Sequence, residues 1–220
     1  LRTPLTNVRS YAETIRDAGD DIPRDMENNF LDIIITETDR MTHIVQDLLT
    51  LSRLDAGSTE MVFTRFPFHD AIESVVRSNS LNAKQRGHEL TYVPEGELPL
   101  ITGDRSRLEQ VMINVIGNAI KYTPPGSEII IELKRKGKFV YVSVADNGPG
   151  IPDEAKPHVF DMFYSASNRV ADSRRSLGLG LALCKSIIHA HNGEITVADN
   201  EPHGAIFTFS VPAGEVELHE

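Results

Sequence analysis

One stretch of the sequence, residues 108–122, carries two asparagines and a lysine at a spacing that suits a metal and phosphate groups. Asn114, Asn118 and Lys121 follow one another at intervals of four and three residues, so in a helix they share one face. Asparagine is a poor residue for a helix interior, because its amide competes for backbone hydrogen bonds. An amide oxygen is a good ligand for Mg²⁺, which usually reaches a protein together with phosphates and water. A solvated helix face is the alternative explanation of the same pattern.

A second candidate is the sequence Asp-Asn-Gly-Pro-Gly-Ile-Pro at residues 146–152, directly after a predicted strand. Gly148 and Gly150 would let the backbone turn sharply and approach a flat ligand. The carboxylate of Asp146 could accept a hydrogen bond from an exocyclic amine, which adenine offers. An ordinary turn is the alternative here.

The third candidate is Leu-Gly-Leu-Gly-Leu at residues 177–181, which opens a predicted helix. Glycines at a helix start expose amides to a phosphate, and the helix dipole adds to the attraction, although a short Gly-x-Gly alone is a weak signal. Between the last two candidates, Phe160 and Phe163 precede a polar stretch at 165–176 that contains three arginines. That pattern predicts a lid over a nucleotide, with the two phenylalanines at its base. A surface loop beside two core phenylalanines is the alternative.

The elements that must position these residues fall into two parts. Apolar residues spaced three and four apart predict a first helix through about residue 18 and a second over 24–54, ended by Gly57. A break at 19–23 makes the pair a hairpin, and a second copy of the chain would complete a four-helix bundle. Packing of the hairpin against the rest of its own chain is the alternative.

From Phe63 onward helices and strands are mixed. Helices are predicted over 70–86, from a cap at Asp104 to 122, and over 179–191. Alternating, β-branched segments predict strands at 89–93, 98–102, 127–134, 139–145, 194–198 and 205–211. The fold class is therefore α+β: a helical hairpin followed by an α/β sandwich in which helices cover one antiparallel or mixed sheet.

Composition narrows the classes of function. The formal net charge of the 220 residues is −10, which argues against nucleic acid as a direct partner. Cys184 is the only cysteine, so an intramolecular disulfide and a four-cysteine zinc site are both excluded. The longest apolar runs are far shorter than the roughly 20 residues of a membrane span. The sequence starts in mid-pattern without methionine, and we interpret it as a piece of a longer protein.

The order of the motifs is more specific than any one of them. Asn-x3-Asn-Ala-x-Lys-Tyr, Asp-x-Gly-x-Gly-Ile, Phe-x2-Phe and Gly-Leu-Gly-Leu closely resemble the N, G1, F and G2 boxes of sensor histidine kinases. The opening Leu-Arg-Thr-Pro-Leu resembles the end of that family's H box, His-Glu-Leu-Arg-Thr-Pro-Leu. The phosphoacceptor histidine and its neighbouring acid would then lie just before Leu1.

The resemblance implies a dimerisation and phosphotransfer hairpin over residues 1–60 and an ATP-binding domain of the GHKL type over residues 61–220. It places Asn114 and Asn118 at Mg²⁺ and the phosphates of ATP, Lys121 and Tyr122 on the triphosphate side, and Asp146 at the adenine amine. It implies catalytic roles for Thr3, Asn114 and Lys121. The other residues that it assigns to the nucleotide pocket are Gly148, Gly150, Ile151, Phe160, Phe163, Gly178, Leu179, Gly180 and Leu181.

The activity implied is ATP-dependent phosphorylation of a histidine within a homodimer. Phosphate would then pass to an aspartate on the receiver domain of a response regulator, and Thr3 would serve a phosphatase reaction. The parent would be a membrane-anchored bacterial protein of which this is a cytoplasmic portion, and any link to the membrane would run through segments outside this sequence. Residues 171–178 and 200–205 further resemble the potassium-responsive members of the family.

Two other hypotheses stay open. Residues 175–177, Arg-Ser-Leu, stand where many relatives carry Gly-Gly-Thr, and the chain could be a dimerising scaffold with a degenerate nucleotide pocket. A different GHKL enzyme, such as a serine kinase or a hydrolysing ATPase, is less consistent with the sequence. Hydrolysing relatives typically place a glutamate where Asn114 stands, and an amide cannot act as a base.

Overall fold

The computed structural model describes residues 2–55, 61–96, 100–164 and 178–214. The chain divides into two compact units, Leu1–Ser52 and Arg53–Glu220. Within the described ranges, no helix is both long enough and apolar enough to cross a membrane.

The first unit is a helical hairpin, as predicted. Helix α1 covers Arg2–Ala18, a single 3-10 turn covers Gly19–Asp21, and helix α2 covers Arg24–Asp55. The rings of Tyr11 on α1 and Phe30 on α2 pack with their centroids 5.1 Å apart. The predicted cap at Gly57 lies outside the described residues.

Helix α2 leaves one apolar face uncovered in the single chain. Leu31 and Leu49 are 18 residues apart, which is five full helical turns, and both side chains are exposed. Ile35 and Val45 lie four residues from Leu31 and Leu49, about 40° around the helix from the same line, and are exposed as well. A face of this kind is where a second apolar surface would pack.

The second unit is built on a mixed five-stranded sheet. Its strands are β2 (Glu89–Pro94), β4 (Glu128–Lys136), β5 (Phe139–Asp146), β6 (Ile195–Asp199) and β7 (Ala205–Pro212), in the order β2-β4-β5-β7-β6. Strands β2 and β4 run parallel, and the other neighbours are antiparallel. Alternate residues of β5 are buried, for example Val140, Val142 and Val144, so one face of the sheet carries the core.

One predicted strand does not join this sheet. We expected residues 98–102 to lie in a single sheet with the others, but β3 (Leu100–Gly103) pairs antiparallel with a short strand, β1 (Thr64–Pro67). Strand β1 is only four residues long and has a single buried residue, Phe66, so its sequence carried too little alternation to be recognised. An isolated bridge from Ile101 to Ala213 then ties this ribbon to the end of β7.

Three helices pack together over the core: α3 (Phe68–Gln85), α4 (Arg105–Tyr122) and α5 (Gly180–Ala190). The predicted cap of α4 is confirmed, since the carboxylate of Asp104 accepts a hydrogen bond from the Arg107 N–H at 3.1 Å. The buried face of α4 carries Leu108, Val111, Met112, Val115 and Ile116. Burial of that face fixes which way the opposite, polar face points.

A buried histidine joins the end of α5 to the start of α4. Nε2 of His191 accepts the backbone N–H of Asp104 at 2.9 Å, and Nδ1 lies 2.8 Å from the carbonyl oxygen of Ile187. The two contacts together require a neutral ring with its proton on Nδ1. Burial lowers the pKa of His191, against weaker opposing effects of the Ile187 carbonyl and the Asp104 carboxylate. His191 therefore holds the helix junction only while it is uncharged.

We predict that this junction makes stability fall in mild acid. Because the folded-state pKa is below the unfolded value of about 6.5, the unfolded chain takes up the proton first as pH falls, and stability is lost below that pH. His191→Gln should unfold more easily near neutral pH, by about 1–3 kcal/mol, and should lose less stability between about pH 7.5 and about pH 5.5. Urea unfolding of the whole chain at the two pH values measures both effects.

The account of the junction is wrong if His191→Gln keeps the wild-type loss of stability in acid.

Candidate functional site

The middle of α4 meets the start of α5 through Asn114. Its side-chain Nδ2 donates to the carbonyl oxygen of Gly180 at 3.4 Å, and the side chain is half-buried. With the amide nitrogen engaged, Oδ1 is the atom that can accept a further hydrogen bond or bind a cation. A Cβ added to Gly180 would lie 3.5 Å from the Asn114 Cγ, which is an ordinary contact. Packing within the protein thus does not require glycine at residue 180.

The other predicted residues of α4 continue the same face toward its C-terminus. Asn118 and Lys121 are half-buried, and Tyr122 is exposed. The Lys121 ammonium lies 3.2 Å from the Tyr122 hydroxyl oxygen and 4.7 Å from the centroid of the Tyr122 ring. The positive charge is therefore held on the open side of the helix.

Asp146, the last residue of β5, presents a buried carboxyl group. Its Oδ1 accepts two backbone N–H groups, from Gly148 at 2.9 Å and from Ala205 at 3.3 Å. Burial raises the pKa of Asp146, while these two N–H bonds act in the opposite direction. Since both bonds end on Oδ1 and no donor from the described residues reaches Oδ2, the second oxygen is available to a ligand.

The loop after Asp146 lies against the C-terminus of α4. A Cβ at Gly148 would come within 2.6 Å of Thr123 Cγ2, so only glycine allows this approach. The Thr123 hydroxyl donates to the Ala119 carbonyl at 2.7 Å, which turns its methyl group toward the loop. Asn114 and Thr123 are nine residues apart, or about 13 Å along the helix axis. Helix α4 thus connects Gly180 at one end of the site with the Asp146 loop at the other.

The Phe-x2-Phe motif and the Gly-Leu-Gly-Leu motif are joined by a backbone hydrogen bond. The Phe163 N–H donates to the Gly178 carbonyl at 3.0 Å. Gly178 has φ +69°, and a side chain there would collide with the backbone of residues 163 and 164. The ring of Phe160 packs edge-on against Phe207 at 6.2 Å, whereas the side chain of Phe163 is 61% exposed.

The remaining predicted residues are placed as follows. Gly150 has φ +74° and abuts the Gly204 carbonyl, Leu179 is buried, and Ile151 and Leu181 are half-buried. The predicted lid at 165–176 and the altered segment at 175–177 lie outside the described residues. Thr3 belongs to α1, but its side chain also lies outside the described part of the chain.

Sequence reasoning missed several residues that shape the site. Thr123 directly follows the helix predicted to end at residue 122 and belongs to none of the motifs. Asn147 was read only as part of a turn, yet its Oδ1 accepts the Glu128 N–H at 2.9 Å and fastens the loop to β4. Asn200 and Ala205 reach Asp146 from more than 50 residues away. No local signal could reveal these last contacts, because they depend on the pairing of β5 with β7.

The described residues contain no group of three or more His, Cys, Asp or Glu side chains that could hold a metal ion. The oxygen donors on the α4 face are the amides of Asn114 and Asn118. Such a set fits a hard cation that brings phosphate and water oxygens with it, and it does not resemble an all-protein cage.

Two family models match the chain. Residues 103–215 match the histidine kinase-, DNA gyrase B-, and HSP90-like ATPase family, and residues 1–57 match the His Kinase A (phospho-acceptor) domain. The chain belongs to the sensor histidine kinases. Membership of this family confirms the resemblance carried by the ordered motifs.

Among curated relatives, the sensor protein KdpD of Clostridium acetobutylicum is 34% identical to this histidine kinase chain over 212 residues. The match covers 96% of this chain and 23% of KdpD, so the chain spans about a quarter of that relative. Sensor histidine kinase WalK of Bacillus subtilis and sensor protein SphS of Synechococcus elongatus match over nearly the same range, with 31% and 35% identity. A potassium response therefore stays a prediction from the sequence.

Solved histidine kinases share the fold. Full-length ShkA in complex with AMPPNP matches with a TM-score of 0.77 and 26% identity, over 98% of this chain and 44% of that one. ThkA in complex with the response regulator protein TrrA matches with a TM-score of 0.77 and 27% identity, over 97% of this chain and 58% of that one. These matches confirm the predicted hairpin followed by an α/β domain.

We predict that Asp146→Asn separates ligand binding from stability. Asn Oδ1 can keep both backbone bonds, whereas Nδ2 would present a donor where Oδ2 now offers an acceptor. The variant should unfold at the same temperature as the wild type or slightly higher, because a buried carboxylate is no longer desolvated. Its affinity for ATP should fall by about 100-fold. Thermal unfolding and calorimetry on the whole chain test this, and an unchanged affinity would remove Asp146 from the site.

Proposed function

We propose that this chain is the ATP-dependent histidine kinase core of a two-component system. The observation that carries the proposal is the arrangement along α4. Its polar face runs from the Asn114–Gly180 contact at 3.4 Å to the loop of Asp146, whose Oδ2 is available to a ligand. A nucleotide lying along this face would meet an acceptor for its base at one end and a helix start for its phosphates at the other.

The adenine end is supported by hydrogen-bond complementarity. A carboxylate oxygen accepts, and the exocyclic amine of adenine donates. A Cβ at Gly148 would lie 2.6 Å from Thr123 Cγ2, so glycine lets the loop beside Asp146 pack directly on the end of α4. The solved complex of ShkA with AMPPNP supports an adenine nucleotide as the ligand.

The phosphate end is supported by the donors on α4 and by the start of α5. We propose that Asn114 Oδ1 and the Asn118 amide hold Mg²⁺, which supplies charge neutralisation to the phosphates when bound. Lys121 would add a positive charge on the open side of the helix. Helix α5 begins at Gly180, which contacts Asn114, and the dipole at a helix N-terminus favours an anion.

We propose that residues 1–60 form the dimerisation and phosphotransfer hairpin and residues 61–220 the ATP-binding domain. The uncovered face of Leu31, Ile35, Val45 and Leu49 suits a homodimer, in which two hairpins form a four-helix bundle. We propose that a response regulator receiver domain docks on the hairpin near Thr3, and the solved complex of ThkA with the response regulator protein TrrA supports a partner of this class. Membrane attachment would come from segments other than the described helices.

In this mechanism the ATP-binding domain mainly orients its substrate. The γ-phosphorus of ATP is attacked by an imidazole nitrogen of the acceptor histidine, and the bond to the bridging oxygen of ADP breaks. A carboxylate oxygen of an aspartate on the regulator would then attack the phosphorus, and the P–N bond to the histidine would break. Positioning and charge neutralisation carry most of the rate in such a transfer.

We predict that the chain, extended at its N-terminus by a helical turn ending in His-Glu, labels itself with γ-labelled ATP and Mg²⁺. The label should be acid-labile, as expected of a phosphohistidine, and should vanish when the added histidine is replaced by glutamine. Asp146→Asn in the extended chain should slow labelling at limiting ATP by about 100-fold, in line with its loss of affinity. A folded, dimeric chain that binds ATP but gains no label would contradict the kinase assignment.

A further inference from the structure

The turn between β6 and β7 contacts the Asp146 loop through several residues. Asn200 begins the turn, and its own N–H donates to the Gly204 carbonyl at 3.0 Å, which closes it. The Asn200 side-chain Nδ2 then donates to the backbone carbonyl of Asp146 at 2.8 Å. The turn is thereby anchored to the residue whose carboxyl group is the candidate base acceptor.

Three further contacts join the turn to the loop. Nδ1 of His203 lies 3.2 Å from the Gly148 carbonyl oxygen, so the ring donates to that oxygen. Gly204 has φ +122°, and a Cβ there would collide with the Asp146 carbonyl group. Ala205, the next residue, gives its N–H to Asp146 Oδ1. Residues 200–205 therefore contact the loop at the carbonyl and carboxylate of Asp146 and at the carbonyl of Gly148.

Lys156 forms ion pairs with residues of both the loop and strand β6. The ammonium of Lys156 lies 2.6 Å from Asp153 Oδ1 and 2.5 Å from Asp199 Oδ2. Asp199 directly precedes Asn200, and Asp153 follows the glycines of the loop. The bridge fastens the far end of the loop to the strand from which the turn begins.

We infer that Asn200 and His203 are positioning residues for recognition of the nucleotide base. With the carbonyl of Asp146 fixed by Asn200 and its Oδ1 fixed by Ala205, the carboxylate is held in one orientation, and with it the lone pairs of the remaining oxygen, Oδ2. That orientation selects a purine with an amine at its C6 position. The inference rests on the proposed function, and it adds the claim that base selectivity is set by a turn that does not touch the ligand.

The test compares two nucleotides that differ only at this amine: ATP and purine riboside triphosphate, which carries hydrogen at C6. Calorimetry with Mg²⁺ on the whole chain gives both affinities, and their ratio measures how well Oδ2 is aimed. Asn200→Asp replaces the donor by an acceptor beside the Asp146 carbonyl. It should lower the preference for ATP by about tenfold while leaving affinity for the second nucleotide nearly unchanged.

His203→Ala provides a second variant, because the exposed ring can be removed without loss of core packing, and it should lower the preference by a few-fold. Glu201→Gln, an exposed substitution in the same turn, is the matched control and should keep the wild-type ratio. Equal weakening of both nucleotides, or an unchanged ratio in both variants, would show a merely structural turn and overturn the inference. A wild-type chain that binds ATP without any preference would instead contradict the role of Asp146 itself.

Discussion

The structure depends on a carboxyl group that is buried without a cationic partner among the residues that the structure describes. Asp146 is 7% exposed, and within the described part of the chain its carboxylate accepts two backbone N–H groups, both on the same oxygen. Such a group raises the free energy of the folded state, since a desolvated charge is only partly compensated by two amides. A cost of this kind is understandable where the second oxygen must stay free for a ligand. The strands, the loop and the turn around it all act to fix that oxygen.

Helix α4 is the element on which the rest of the site is assembled. Its apolar face is locked into the core, its N-terminus is capped by Asp104, and the junction at His191 ties that end to α5. The polar face is therefore presented with little freedom of rotation. Gly180 and Gly148 approach it at two places about 13 Å apart, and each brings a different type of polar group. Because the helix is held this firmly, its polar groups are already in place when a nucleotide binds.

The sequence predicted most of the fold because its signals were local. Periodic apolar residues located the hairpin and the three helices of the second unit, and Asp104 was recognised as a cap from its position alone. Strand β1 was missed, since four residues with one buried side chain carry no usable alternation. The pairing of β3 with β1 could not be foreseen for the same reason. Ordered motifs identified the family where single motifs could not.

The site was predictable only in part. Asn114, Gly180, Asp146 and Gly148 follow from motifs, and the structure brings them together in two pairs along α4. Thr123, Asn200 and His203 could not be assigned from sequence, because their roles arise from contacts set by strand order. The binding of Mg²⁺ by the amides of Asn114 and Asn118 is a proposal, supported by the preference of this ion for oxygen ligands.

The central claim is that Asp146 Oδ2 receives the amine of adenine. A crystal structure of this chain with Mg²⁺ and a non-hydrolysable ATP analogue tests it most directly. We expect the purine amine at about 2.7–3.2 Å from Oδ2, with the phosphates running along α4 toward Gly180. A purine bound elsewhere, or an Oδ2 turned onto a donor of the protein, would contradict the account.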